Sequence, residues 1–176
     1  MAVVVGTTLC RADRDEAAGA IAGYTVANDI SMRDWQHRTL QWFQGKAWDA
    51  STPVGPVLLT PDEADPVSGM TVSCTVDGEL RQRASTGQLV FDSAALLAYI
   101  SAFTTLRPSD LVLTGTPGGV GSAAQPPTNL RDGSRVVTKI DGIGQLDNTV
   151  RFVTDDPPGS SEQRAHRQTQ SEGARR

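Results

Sequence analysis

A mixed α/β architecture dominated by sheet is what this sequence specifies, and three features carry that expectation. Short apolar or alternating runs recur along the chain, Gly-containing turns separate them, and only two or three stretches have helical spacing. Ala2 to Val5 is a continuous apolar run, which predicts a buried strand, and Asp13 to Ala22, acidic at its start, predicts a short helix. A second strand then holds Tyr24 and Val26 and ends at Asn28-Asp29. Val72, Cys74 and Val76 alternate with Thr71, Ser73 and Thr75, and Asp77-Gly78 turns the chain into Glu79 to Arg83, a half-buried antiparallel pair. Asp92 or Ser93 caps a helix on which Leu96, Tyr99, Ile100 and Phe103 fall at helical spacing, with Pro108 at its far boundary. Leu111 to Leu113 is expected as a buried strand. Arg135 to Ile140 and Gln145 to Val153 close a last hairpin around residues 141–144.

Composition narrows the function classes. Among 176 residues, 20 Asp and Glu stand against 16 Lys and Arg, so no cationic excess is present to neutralise a phosphate backbone or an anionic membrane surface. No apolar run approaches the roughly 18 residues of a membrane span, and no basic n-region precedes a hydrophobic stretch. The expectation is a cytoplasmic protein with neither a nucleic-acid nor a membrane partner. Cys10 and Cys74 form no CxxC pair and are expected as small buried residues. His37 and His166 are equally isolated, so a zinc site is hard to assemble and any metal must be held by oxygen. From Thr154 to Arg176 only Ala165 and Ala174 are apolar, and this stretch is expected to be a disordered tail after one domain over residues 1–153.

Two segments carry candidate chemistry. Between Asn28 and Trp48 lie Asp29, Arg33, Asp34, Gln36 and Lys46, together with all three tryptophans. An acid at a strand end, an arginine one helical turn later and a lysine after glycine can converge on an anion, with the carboxylate free for a hard cation. Equally open is a surface turn in which Asp29 caps a helix and Arg33 and Lys46 are solvated. The second segment is the loop Thr114-Gly115-Thr116-Pro117-Gly118-Gly119-Val120-Gly121. It lacks the Lys of a P-loop, and although Gly119, Gly121 and Ala124 meet a loose dinucleotide fingerprint, Pro126-Pro127 stand where the phosphate-binding helix would run. Its glycines serve shape alone, or they let the loop present Thr116 and backbone N–H groups to a carboxylate or oxyanion.

Read together and in order, GYTVANDISMRDWQ, QWFQGKAWD with TPVGPVLLT, VDGELRQ, and TLRPSDLVLTGTPGGVG resemble the fumarylacetoacetate hydrolase family over essentially all of Ala2 to Val153. QWFQGK and QPPTNL are most similar to its bacterial branch named for 2-hydroxyhepta-2,4-diene-1,7-dioate isomerase. The resemblance implies a β-sandwich and β-roll catalytic domain, a homodimer, and a divalent cation, Mg²⁺, Mn²⁺ or Ca²⁺. It implies action on small-molecule 2-oxo or enol acids and 1,3-dicarbonyl compounds, by hydrolysis, isomerisation or decarboxylation, in aromatic or sugar-acid catabolism. It places Asp29 as a metal ligand, Arg33, Gln36 and Lys46 around the substrate's oxygens as the catalytic set, and Thr116 with Gly115 at the substrate's carboxylate or oxo end. The family's two further carboxylates form a Glu-x-Glu pair before the first strand, and its His-Glu acid–base pair sits on a lid further upstream. The resemblance therefore implies that both precede Met1, through a wrongly assigned start or a real truncation, and that the chain as written is impaired. A non-catalytic remnant that keeps the fold and dimer surface is the competing expectation, and a nucleotide-binding module is disfavoured by the missing P-loop lysine.

Overall fold

A computed structural model describes residues 1–153 of the protein, and residues 154–176, for which a disordered tail is expected, lie outside the described residues. Strand β1, Ala2–Val5, has no polar side chain to expose, and it lies between two partners. It pairs antiparallel with β2, Ile21–Ala27, on one edge and with Leu111–Leu113 on the other, and Ala2, Val3 and Val5 are sealed from solvent. A strand covered on both faces needs no alternation, which is why this run reads as continuously apolar.

Helix α1, Arg14–Gly19, joins β1 to β2. It starts on a reciprocal capping box, in which the Asp13 carboxylate accepts from the Glu16 N–H at 2.8 Å and the Glu16 carboxylate accepts from the Asp13 N–H at 3.0 Å. After β2 come a single helical turn, α2, Arg33–Gln36, a 3₁₀ turn over Trp42–Gly45, and strand β3, Val54–Leu59. Strand β3 is not legible as a strand in the sequence, because Pro56 interrupts the run. It tolerates Pro56 by lying at the sheet edge, where β2 is its one partner.

Strands β4, Thr71–Val76, and β5, Glu79–Ser85, form the expected hairpin, with Asp77 and Gly78 both at positive φ as its tight turn requires. Helix α3, Ser93–Ser101, is followed by β6, Leu111–Leu113, and by the closing hairpin of β7, Arg135–Ile140, and β8, Gly144–Thr149. The strand orders are β3-β2-β1-β6 and β5-β4-β7-β8, both wholly antiparallel. Val3, Val5 and Val26 of the first sheet share one core with Ile140 of the second and with Ala17 and Leu97 of the packed helices α1 and α3. The sheet-dominated expectation holds.

Three local expectations do not. Helix α3 buries Ala94, Leu97 and Ser101, whereas Tyr99 and Phe103 lie 72% and 71% exposed and stack edge to face on each other. Spacing identified the helix, but an apolar face and an inward face are different things when the inward face is made of small residues. Strand β6 buries Val112 alone, since it is a sheet edge with Leu111 and Leu113 half-exposed. Cys10 is exposed, because Leu9 beside it takes the core position, while Cys74 is buried as expected.

Asp92 ties the two helices together. Its carboxylate caps α3 through the Ala95 N–H at 2.9 Å and receives both terminal guanidinium nitrogens of Arg14. The Arg14 hydrogen bond, then the Ala95 N–H, holds the Asp92 carboxyl below its ordinary value. A carboxyl depressed in the folded state stabilises above its unfolded pKa and loses that contribution as pH falls through the folded one. Asp92→Asn is therefore expected to narrow the stability difference between pH 6 and pH 3 in urea titrations. Leu97→Ala, at a fully buried site, should cost about 2–5 kcal/mol by the same measurement.

Candidate functional site

The chain leaves β2 at Ala27 and turns through Asn28 and Asp29. The Asn28 amide reaches across to the second sheet and donates to the Thr138 hydroxyl of β7 at 2.8 Å, which fixes where the turn begins. Asp29 does not cap α2, since Met32 occupies that position without a side-chain bond. Instead the Asp29 carboxylate accepts from the Lys46 ammonium at 2.6 Å, and the same ammonium donates to the Ser31 hydroxyl at 2.6 Å. The solvated reading of this segment is thus replaced by a local ion pair, with both side chains about one-third exposed. Gly45, just before Lys46, packs directly on Gln36, and a side chain there would overlap the Gln36 backbone and Cβ. The segment folds back on itself and returns Lys46 to the end of β2.

Arg33 donates to the Gln36 side-chain oxygen at 2.7 Å. Gln36 is buried beneath it, so this bond orients the guanidinium, and Gln36 itself does not line the cleft described below. Asp34 points to solvent beside Arg38, which lies over the Trp35 ring at 3.6 Å.

The loop 114–121 is held from Met1, just ahead of β1, and from β5. Thr114 donates its N–H and its hydroxyl to the Met1 carbonyl, at 3.1 and 3.2 Å. The Gln82 amide donates to the Thr116 hydroxyl at 2.9 Å and to the Pro117 carbonyl at 2.8 Å. Gly115 and Gly119 take positive φ, and a Cβ on Gly119 would fall 2.0 Å from the Arg81 carbonyl oxygen. Glycine is required there for close approach as well as for its dihedral angle.

These elements enclose one cleft of about 280 Å³ between the two sheets, into which Asp29, Arg33, Lys46, Gly115 and Thr116 converge. Asn28, Ser31, Cys74, Gln82 and Thr138 also line it, and none of these is a site residue expected from the sequence. Asn28 and Ser31 lie in the GYTVANDISMRDWQ segment and Gln82 ends VDGELRQ, whereas Cys74 and Thr138 enter from strands of the second sheet. Burial pushes the Cys74 thiol up, against weaker opposing hydrogen bonds from Thr138 and Asn28, so it remains a neutral wall.

The donor inventory favours an anionic ligand. Two of the three N–H bonds of Lys46 are engaged, leaving one free, and Arg33 keeps most of its five. Because Thr116 Oγ1 accepts from Gln82, its own proton is free to point outward. For a divalent cation the fit is incomplete: Asp29 is the one carboxylate of the cleft, it is paired with Lys46, and no three His, Cys, Asp or Glu side chains converge among the described residues.

The family profile described as fumarylacetoacetate (FAA) hydrolase C-terminal matches residues 1–151. Oxaloacetate tautomerase Fahd2a, mitochondrial, from Rattus norvegicus is 42% identical over 151 residues, covering 85% of this chain and 48% of the relative. The chain thus spans about half the length of the curated relatives it matches, and these carry enzyme names. Among solved structures, fumarylacetoacetate hydrolase from Exiguobacterium antarcticum aligns with a TM-score of 0.82 at 39% identity, covering 86% of this chain and 55% of its own. Fumarylpyruvate hydrolase from Pseudomonas aeruginosa, in complex with Mn²⁺ and pyruvate, aligns with a TM-score of 0.76 at 35% identity, covering 86% of this chain and 64% of its own.

The loop geometry sets a paired expectation. Gly119→Ala should destabilise the protein by about 2 kcal/mol or more in urea unfolding, through backbone overlap and an unfavourable φ. Gly118→Ala, with open space around it, should stay within about 0.5 kcal/mol. Equal costs at the two positions would contradict the described contact with Arg81.

Proposed function

Since the chain belongs to the fumarylacetoacetate hydrolase family through its C-terminal domain, we propose that it forms the oxo-acid-binding part of a hydrolase or isomerase of 2-oxo or enol acids and 1,3-dicarbonyl compounds. The observation that carries this is the convergence of Lys46, Arg33 and the Thr116 hydroxyl on one cleft. The chemistry common to these reactions is an enolate, and its negative charge develops on an oxygen that fixed donors can meet. Lys46 and Arg33 supply positive charge already oriented, by Asp29 and Ser31 for the ammonium and by Gln36 for the guanidinium. Thr116, aligned by Gln82, donates to the carboxylate or oxo end of the substrate. The pyruvate and Mn²⁺ bound by the Pseudomonas relative and the oxaloacetate in the Rattus relative's name support the same substrate class.

In the whole enzyme we assign a cation, Mg²⁺, Mn²⁺ or Ca²⁺, to the neighbourhood of Asp29. That ion would polarise a substrate carbonyl when bound. Asp29 with neutral oxygens is too few ligands to hold it tightly, so no step is assigned to it in this chain. A homodimer and a cytoplasmic location belong to the same proposal; among the described residues no helix is long and apolar enough to cross a membrane, and the Rattus relative is named mitochondrial. The lone carboxylate also favours a second reading, a non-catalytic chain that keeps the fold.

Calorimetric titration with Mg²⁺ and Mn²⁺ should give an apparent Kd above about 100 μM, and binding near a micromolar would overturn the incomplete-site description. Acylpyruvates, oxaloacetate and hydroxyheptadienedioate, assayed with Mg²⁺, test the enzymatic reading. Turnover that falls at least about a hundredfold in Lys46→Met supports it. No turnover of any of them by a folded chain favours the second reading.

A further inference from the structure

The cleft continues past Arg33 into a side chamber of about 170 Å³, whose lining residues all fall between Asn28 and Val136 of the chain. Asn28, Asp29, Ser31, Arg33, Cys74 and Gln82 line both spaces, so the two are continuous. Beyond them the chamber adds Arg81 and an apolar wall at Ile30, Val76 and Val136. Asp29 is the one acidic residue among the described residues lining it, and Lys46 already holds that carboxylate. Two arginines therefore border a space that contains no free acid to match them.

Arg81 reaches this place through an irregularity of β5. The pairing with β4 slips between Cys74, opposite Gln82, and Thr75, opposite Leu80, which leaves Arg81 as an extra residue. In a regular strand Arg81 and Gln82 would point to opposite faces, whereas a bulge re-aims a side chain and can turn both to one. Burial agrees, since both are half-buried between exposed Leu80 and exposed Arg83. Gln82 gives the direction, because its amide meets Thr116 and Pro117 of the glycine loop. The Arg81 guanidinium, one-third exposed, meets Glu79 at 2.9 Å, and the Glu79 side chain is two-thirds exposed. So well solvated a counter-ion contributes little, and it yields to a carboxylate enclosed in the chamber.

Resting on the oxo-acid reading above, we infer that Arg81 is a specificity-determining residue: with the substrate's oxo end at Lys46 and Thr116, Arg81 and Arg33 receive a carboxylate at its other end. The site then selects oxo acids with two carboxylates over those with one. A second carboxylate gains charge-assisted donors in place of its lost hydration, whereas a methyl end gains none and leaves Arg81 with Glu79.

The test is an NMR titration of the 176-residue chain, at one ionic strength, with two pairs of ligands: 2-oxopentanoate with 2-oxopentanedioate, and 2-oxohexanoate with 2-oxohexanedioate. In at least one pair the dianion should bind about tenfold more tightly. Arg81→Gln should remove that preference and leave the monoanions nearly unchanged, which a general disturbance of β5 would not do. Arg81→Lys should keep part of it, since the charge is retained and the bidentate fork is lost. Glu79→Gln, at an exposed side chain, should strengthen dianion binding about twofold or more, and it decides the matter if Arg81→Gln does not fold. Monoanions that bind as tightly as the dianions, an Arg81→Gln loss shared equally by both, or a Glu79→Gln without effect would overturn the inference and leave the oxo-acid reading standing. If none of the four binds, the oxo-acid reading fails and the inference falls with it.

Discussion

The burial of β1 is the constraint on which the rest of this structure depends. Val3 and Val5 are fully enclosed, and each such side chain contributes about 1.5–3 kcal/mol by leaving water. More consequential than the energy is what the strand positions. Its two neighbours are β2 and β6, and the chain leaving one carries Asp29 while the chain leaving the other carries Thr116. The Met1 carbonyl, at the head of the strand, accepts both hydrogen bonds from Thr114. One buried strand therefore sets the distance between the carboxylate side of the cleft and its glycine loop.

Charge in the cleft is arranged by local bonds of modest individual worth. The Lys46–Asp29 pair is too exposed to add much stability, but its geometry removes rotational freedom from the ammonium before any ligand arrives. Gln36 does the same for Arg33 from below, and Gln82 for Thr116 from the second sheet. Each cleft donor is thus aimed by a neighbour, and orienting them costs a ligand less.

How much of this was legible in the residues depended on the range of the interactions involved. The acidic helix start at Asp13, the Asp77-Gly78 turn and the Asp92 cap are each contained within a few residues, and all were readable. Which face of α3 turns inward was not, because burying Ala94 and Ser101 in place of Tyr99 and Phe103 is decided by α1 packed against it. The same limit applies to the cleft. Asp29, Arg33, Lys46 and Thr116 sit in conspicuous motifs, but Cys74 and Thr138 join them only when two sheets meet. Gln36 shows the converse, a residue in a conspicuous motif that folds beneath the site.

The bonds that frame the cleft join residues far apart in the chain: Asn28 to Thr138, Thr114 to Met1 and Gln82 to Thr116. Each closes a long loop, and its entropic cost is offset only when the sheets between are already formed. The cleft is consequently absent from any species in which the two sheets have formed but not docked. Its integrity is then a measure of the global fold, and a ligand that selects the finished cleft stabilises the entire domain, by an amount set by its free concentration relative to Kd.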